Sequence, residues 1–375
     1  MEQNPRSAPV DEAGSLYCWK KFMSSAHLTA GISGPESETC TVYKSLQHFL
    51  QVNRAVRIGM LNNPLSGGNR SGLQKIRKAA AAAYPRVFQC DVRNPADVAE
   101  ALADFARQEV NILVVNGGDG TIQAALTAIF HKNFFETMPL LAVLRSAGTT
   151  SMIAGDIGLK GPRDSALQRL FSWAHIGKAR AAITQRPVLR VQIPSEMEPV
   201  YGMFFGGAAI YQATHFCLQK IYARGVRGEL GAGVALARFL LAVILRDRNV
   251  VSPVSITTRL DQKSAKHQKY LLVFITTLQR LFLGMRPYWG AETKPLHYTA
   301  VDSRPRYFLR ALPSLLRGRK SRYVKPDNGY TSHNIDQVQL TLNSGFNLDG
   351  ELYTPDCTTG PVVVSYGGQA SFLQL

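Results

Sequence analysis

"VVNGGDGTIQAAL", residues 114–126, decides how the rest of the chain reads. An apolar run, "NILVV", ends in Asn116, Gly117, Gly118, Asp119, Gly120 and Thr121, and "IQAALTAIF" follows with the composition of a helix. Glycines where a buried strand meets a helix let backbone N–H groups approach a phosphate with no side chain in the way. The helix adds its positive N-terminal end. Asp119 is then an acid beside the phosphates, suited to binding Mg²⁺ directly or through water, or to activating an attacking hydroxyl. Thr121 suits a helix cap or a hydrogen bond to phosphate. Alone, the stretch reads equally well as a tight turn with Asp119 as its cap.

The flanking sequence changes that balance. "VRIGMLNNPLSGGNR" predicts a strand running into a Gly-rich loop, "SGLQKIRKAAAAA" a helix, and "RVFQCDV" a second strand. "NPADVAEALADFARQE" predicts a helix starting near Asn94 or Asp97, and "PLLAVLRSAGTT" a fourth strand with its loop. Strands that are continuous apolar runs, alternating with helices, predict an α/β fold with a doubly wound parallel sheet. Three Gly/Ser/Thr-rich loops, at 62–70, 116–121 and 145–159, then share one sheet edge, where such folds bind ligands. After about residue 180, alternating β-branched and aromatic runs predict a mostly antiparallel, β-rich second domain. A long helix is expected near 229–246. The expected division is a partly disordered extension over 1–54, with a short amphipathic helix at 42–52, an α/β nucleotide domain over 55–180 and a β-rich domain over 181–375.

The net charge of +17 over 375 residues predicts an anionic partner. Five scattered cysteines, without CxxC or His/Cys clusters, point to reduced thiols and away from zinc. The polar opening residues do not read as a signal peptide. The longest apolar run, "VALARFLLAVIL" at 234–245, contains Arg238 and falls short of the ~20 residues a bilayer span needs. A cytoplasmic protein with at most peripheral membrane contact is expected.

"NPLSGG", "NGGDGT" and "AGTTSMIAGDIGL" resemble the three nucleotide-site loops of the diacylglycerol kinase catalytic-domain family, which includes bacterial lipid kinases and sphingosine kinases. "FNLDGELY" at 346–353 resembles the family's Asp-Gly-Glu motif. The resemblance implies ATP and Mg²⁺ as cofactors and phosphoryl transfer to a lipid hydroxyl, with ATP held by the domain over 55–180, the lipid bound by the domain over 181–375, and the last segment of that second domain returning to the cleft. It implies that Asn63, Ser66, Gly67, Gly68, Gly117, Gly118, Asp119, Gly120, Thr121 and Thr149 surround the ATP phosphates. Glu351 is a candidate general base, with Asp119 its rival or partner. Asp349 shapes a turn or a metal shell. Relatives often read Gly-Thr-Gly-Asn where this chain has Gly148-Thr149-Thr150-Ser151, and Gly-Phe-Asp where it has Ala209-Ile210-Tyr211. The Asp-Asp-Gly stretch that holds a structural Mg²⁺ in some bacterial members has no clean counterpart, and Glu292 in "GAETKPL" is the nearest candidate ligand.

"SRPRYFLRALPSLLRGRKSRYVKP", residues 303–326, interleaves basic residues with leucines, and Pro313 is expected to interrupt a single helix there. Arg317, Arg319, Lys320 and Arg322 are candidate contacts to an anionic membrane. The alternative is a solvated edge whose leucines pack on the domain core. No nucleic-acid motif is present, so no nucleic acid is expected. The expected partners are a lipid substrate and an anionic membrane surface, with a homodimer left open. Two other functions stay open: an NAD kinase-like enzyme, which shares NGGDGT, and a non-catalytic membrane- or nucleotide-binding module of the same fold.

Overall fold

The structure is a computed structural model that describes residue 49 and residues 55–69, 72–84, 86–145, 151–176, 181–194, 196–216 and 252–375. The helices expected at 42–52, apart from Phe49, and at 229–246 lie outside these residues.

Strands β1 (Ile58–Asn62), β2 (Phe88–Asp91), β3 (Ile112–Asn116) and β4 (Leu140–Val143) are parallel, in the order β2-β1-β3-β4. Between and after them run α1 (Leu73–Ala83), α2 (Pro95–Arg107), α3 (Asp119–Lys132), α4 (Met152–Ile157) and α5 (Arg163–Ile176). All residues of β1, β3 and β4 are buried, as in a parallel sheet covered on both faces. Side chains alternate between two cores. Leu61, Leu113, Val115 and Leu141 pack with Leu102, Phe105 and Leu126 of α2 and α3. Met60, Ile112 and Val114 pack with Ile76, Leu170 and Trp173 of α1 and α5. The sheet is therefore doubly wound, and its order reverses between β1 and β3, so their loops leave in opposite directions and open a crevice.

Local chemistry explains the elements. Asn94 caps α2 by accepting from Asp97 N at 3.0 Å, Pro95 fixes the first turn, and Asp97 accepts from Arg93 N at 2.8 Å. Helix α3 is buried on nearly every side, which matches its all-round apolar sequence and its central position.

The chain then forms β5 (Ala182–Gln192), β6 (Val200–Gly202), β7 (Phe204–Ala208), α6 (Ala209–Phe216), β8 (Val254–Leu260), β9 (Lys266–Thr276) and β10 (Leu296–Asp302). After α7 (Phe308–Leu316) come β11 (Tyr330–Ile335), β12 (Gln337–Leu342), β13 (Phe346–Leu348), β14 (Glu351–Tyr353) and β15 (Val362–Gln374). These strands pair antiparallel, with one exception. The first part of β15 pairs with β12, whereas Phe372 near its end pairs in parallel with Leu141 of β4. A register break at Gly367-Gly368 redirects the strand, and a Cβ on Gly368, whose φ is +118°, would lie 2.7 Å from the Phe130 ring. The parallel and antiparallel parts therefore form one continuous sheet.

Pro313 does not break the basic segment: α7 runs through it. The proline lacks one N–H donor, but Ala311 and Leu315 are buried in a core with Tyr330, and that packing outweighs the lost bond.

Candidate active site

The C-terminal ends of β1 and β3 are tied by asparagines. Asn116 donates from Nδ2 to Asn62 Oδ1 at 2.9 Å, and Asn69 Nδ2 donates to the carbonyls of Asn63 (2.8 Å) and Asn116 (2.9 Å). Asn63 accepts from Leu65 N at 2.8 Å, which turns the first loop, and donates to Thr121 Oγ1 at 2.8 Å. Thr121 thus locks the first loop to the second rather than capping α3, whose N-cap is Gly118 with no side-chain bond. The leading N–H groups of α3 are left uncapped by any side chain. A Cβ on Gly117 would fall 2.5 Å from Thr121 Oγ1, so this glycine is required by close packing. A Cβ on Gly118 would meet nothing within 4 Å, so that glycine faces open space.

Arg163, which sequence reading did not single out, opens α5 and clamps the first loop from behind. Its guanidinium donates to Asn69 Oδ1 and to the Gly68 carbonyl, each at 2.5 Å. Lys75 pairs with the neighbouring Asp164 at 3.0 Å. The only sequence signal for Arg163 is a basic residue just after Gly161-Pro162 at a helix start. Gly67 and Ser66 sit in the clamped loop, with Gly67 exposed and Gly68 half-buried. Thr149 lies outside the described residues.

Asp119 is half-buried. Its Oδ2 accepts from Met152 N at 2.8 Å and so ties the third loop, where α4 starts, to the second. Its Oδ1 is buried without a partner. Burial pushes its carboxyl up to about 7, against the lowering effect of the Met152 and Ile153 N–H groups. Ser66 Oγ, Asn116 Oδ1 and Ser151 Oγ are also buried and unpartnered. Buried polar atoms are normally hydrogen-bonded. Four such atoms lie on the three strand-end loops, where they could meet a polar ligand.

The Asp-Gly-Glu turn reaches this place from the β-rich part, between β13 and β14. Glu351 is exposed, and a Cβ on Gly120 would lie 2.4 Å from its Oε1. Glu351 therefore lies against the Gly117–Thr121 loop, 231 residues earlier in sequence from Gly120. Nearby, Gln123 Nε2 donates to the Tyr353 hydroxyl at 3.3 Å. Asp349 plays a different part. It is 1% exposed, has a left-handed φ of 50°, and accepts from Met203 N (2.8 Å) and Phe204 N (2.9 Å). Burial raises its carboxyl well above the ordinary range, and the charge of Asp119 adds to this. Asp349 anchors the turn, and Glu351 faces the loops.

The remaining candidates lie elsewhere. Glu292 accepts from Asn334 N at 2.8 Å and contacts His333 Nδ1 at 2.6 Å. Its carboxyl is held down to about 2 although burial opposes this, because the Asn334 N–H and the His333 ring bind the ionised form. Both its oxygens are engaged, and no group of three His, Cys, Asp or Glu with metal-ligand geometry occurs among the described residues. Tyr211 stacks near His215, with ring centroids 6.0 Å apart, and a Cβ on Gly345 would touch its ring. Arg317, Arg319, Lys320 and Arg322 are exposed beyond the end of α7. No helix among the described residues is long and apolar enough to cross a membrane.

This geometry agrees with what the chain is similar to. Residues 57–178 match the family model of the diacylglycerol kinase catalytic domain. No curated protein matches the chain. Among solved structures, a diacylglycerol kinase from Bacillus anthracis str. Sterne superposes with a TM-score of 0.53 at 14% identity, covering 85% of this chain and 97% of that one. A candidate diacylglycerol kinase from the same organism gives 0.58 at 16% identity over the same shares. At these identities the likeness to the two structures is one of fold. The match to the diacylglycerol kinase catalytic domain falls on residues 57–178, the part of the chain that carries the clamped loops and Asp119.

Proposed function

We propose that the chain is an ATP-dependent lipid kinase that transfers the γ-phosphoryl group to a hydroxyl of a diacylglycerol- or sphingoid-like lipid. One observation carries this reading: the four buried, unpartnered polar atoms on the loops after β1, β3 and β4. Hydroxyl groups at Ser66 and Ser151, with the uncapped start of α3, suit phosphate oxygens, whereas Asn116 Oδ1 can only accept and suits an N–H or O–H of the ligand. Gly118 leaves room for them.

The free oxygen of Asp119 fits Mg²⁺, held directly or through water, with the substrate phosphates supplying most of the other ligands. Mg²⁺ supplies charge neutralisation between phosphate oxygens when bound. Arg163 fixes the first loop and adds positive potential behind it. Alternatively, with Mg²⁺ held by other groups, Asp119, whose carboxyl burial raises to about 7, is suited to take a proton from an attacking hydroxyl. Glu351 is the second acid at the site and is suited to orient that hydroxyl or to share its proton. Catalysis then rests on positioning and charge, as phosphoryl transfer requires.

The test is a screen of purified protein with γ-labelled ATP, Mg²⁺ and a panel of lipid alcohols, with NAD as a separate acceptor. Label in a lipid phosphate supports the proposal. Label in NADP alone, or in no acceptor, overturns it.

A further inference from the structure

The turn that follows β9 carries a feature that folding does not explain. Residues 281–285 form a tight turn, with Leu281 N bonded to Met285 O at 2.8 Å and Gly284 N to Leu281 O at 2.9 Å. At its tip Leu283 has a left-handed φ of 55° and is 71% exposed. Tyr307, at the start of α7, has φ 56° and is 55% exposed. These are the two large apolar side chains with left-handed backbone among the described residues, and both face solvent. Left-handed backbone is costly for a bulky side chain, and one that stays this exposed regains little of that cost through burial.

The two positions belong to one stretch of surface. Arg286 N, just past the turn, bonds Leu316 O at the end of α7 at 2.9 Å. Gly318, with φ +63°, packs so closely there that a Cβ would lie 2.2 Å from Arg286 O. At the other end of α7 the Tyr307 ring meets that of Tyr323, at 5.7 Å between centroids, and Arg322 stacks over Tyr323 at 4.8 Å. Leu309, 60% exposed, adds a third apolar side chain. Residues 303–326 hold eight basic residues and no acid. None of Arg310, Arg317, Arg319, Lys320 and Arg322 forms an ion pair among the described residues. Arg280 and Arg286 flank the turn and are also exposed.

We propose that the Leu283 turn and α7 form a docking surface for an anionic lipid bilayer. In that arrangement Leu283, Tyr307 and Leu309 enter the headgroup region, and the surrounding guanidinium groups meet lipid phosphates. Charge complementarity selects this occupant: exposed leucines on the same segments as exposed cations that form no ion pair among the described residues suit a negative surface with an apolar interior. Hydrogen bonds through α4 connect the surface to the candidate active site. Asp156 Oδ2, in α4, accepts from Gln279 N at 3.0 Å beside the turn, and Met152 N, at the other end of α4, donates to Asp119 at 2.8 Å. Bilayer binding requires no phosphoryl transfer, so the surface can exist whether or not the kinase proposal holds.

The experiment is sedimentation of the full chain with phosphatidylcholine vesicles, with and without phosphatidylserine, at rising salt. Wild type sediments with the anionic vesicles, less so as salt screens the charges. Leu283→Asn keeps a side chain tolerated in left-handed backbone, so its thermal midpoint equals or exceeds that of wild type. Its affinity for anionic vesicles falls about tenfold or more. Arg317→Gln, Arg319→Gln and Lys320→Gln combined lower that affinity by about a hundredfold. Undiminished vesicle binding by folded Leu283→Asn overturns the proposal. So does equal binding of wild type to both vesicle types, or binding to neither.

Discussion

Replacing Asp119 with asparagine should remove activity and make the unliganded protein resist unfolding better as pH rises. A carboxyl whose pKa climbs from 3.8 to about 7 on folding penalises its ionised form in the folded chain. At about 1.4 kcal/mol per pH unit the penalty reaches at most about 4 kcal/mol. Below about pH 4 the group is protonated whether folded or not, and contributes no difference. Between about pH 4 and 7 the unfolded chain releases the proton while the folded chain retains it, so wild type loses stability relative to Asp119→Asn. Above about pH 7 the difference is constant. Asparagine still offers an oxygen to Met152 N, so the loop tie survives. Any fixed difference from the new amide cancels when two pH values are compared. Urea unfolding of both proteins at pH 4.5–8 measures the change. A stability difference that stays flat over this range, or turnover by the variant close to wild type, would refute the reasoning.

Gly120→Ala places a methyl where Glu351 Oε1 now sits. The carboxylate is the end of a flexible side chain, so stability should change little, while its displacement should lower turnover about a hundredfold. Normal turnover would mean that Glu351 has no part in the reaction. Asp349→Ala leaves Met203 N and Phe204 N buried without an acceptor and should cost about 3–5 kcal/mol in urea unfolding. A loss below about 1 kcal/mol would show that the turn does not need its anchor.

The parallel half was legible because β1, β3 and β4 are largely apolar runs, and β1 and β3 end in asparagine ahead of Gly-rich loops, so period and punctuation agree there. The three loops and the Asp-Gly-Glu turn were legible as short motifs. Their mutual arrangement was not, because it depends on contacts between distant segments. Met152, 33 residues later, brings the start of α4 onto Asp119. Arg163 clamps Gly68 and Asn69 across 94–95 residues, and no local pattern announces a clamp. Asp349 and Glu351 lie two residues apart, yet one is anchored inward and the other faces the loops. A sequence shows the two acids but not which way the turn folds. Pro313 was misread because local propensity predicts a break, whereas burial of Ala311 and Leu315 holds the helix through it.

The central claim is that the loops after β1, β3 and β4 cradle the phosphates of a nucleotide. Gly118→Ala tests it most directly, because an added Cβ there meets no protein atom within 4 Å. Calorimetric titration of Mg²⁺–ATP into wild type and Gly118→Ala, with thermal midpoints taken in parallel, should show unchanged stability and ATP affinity weakened about tenfold or more. Equal ATP affinity in the two proteins would contradict the account.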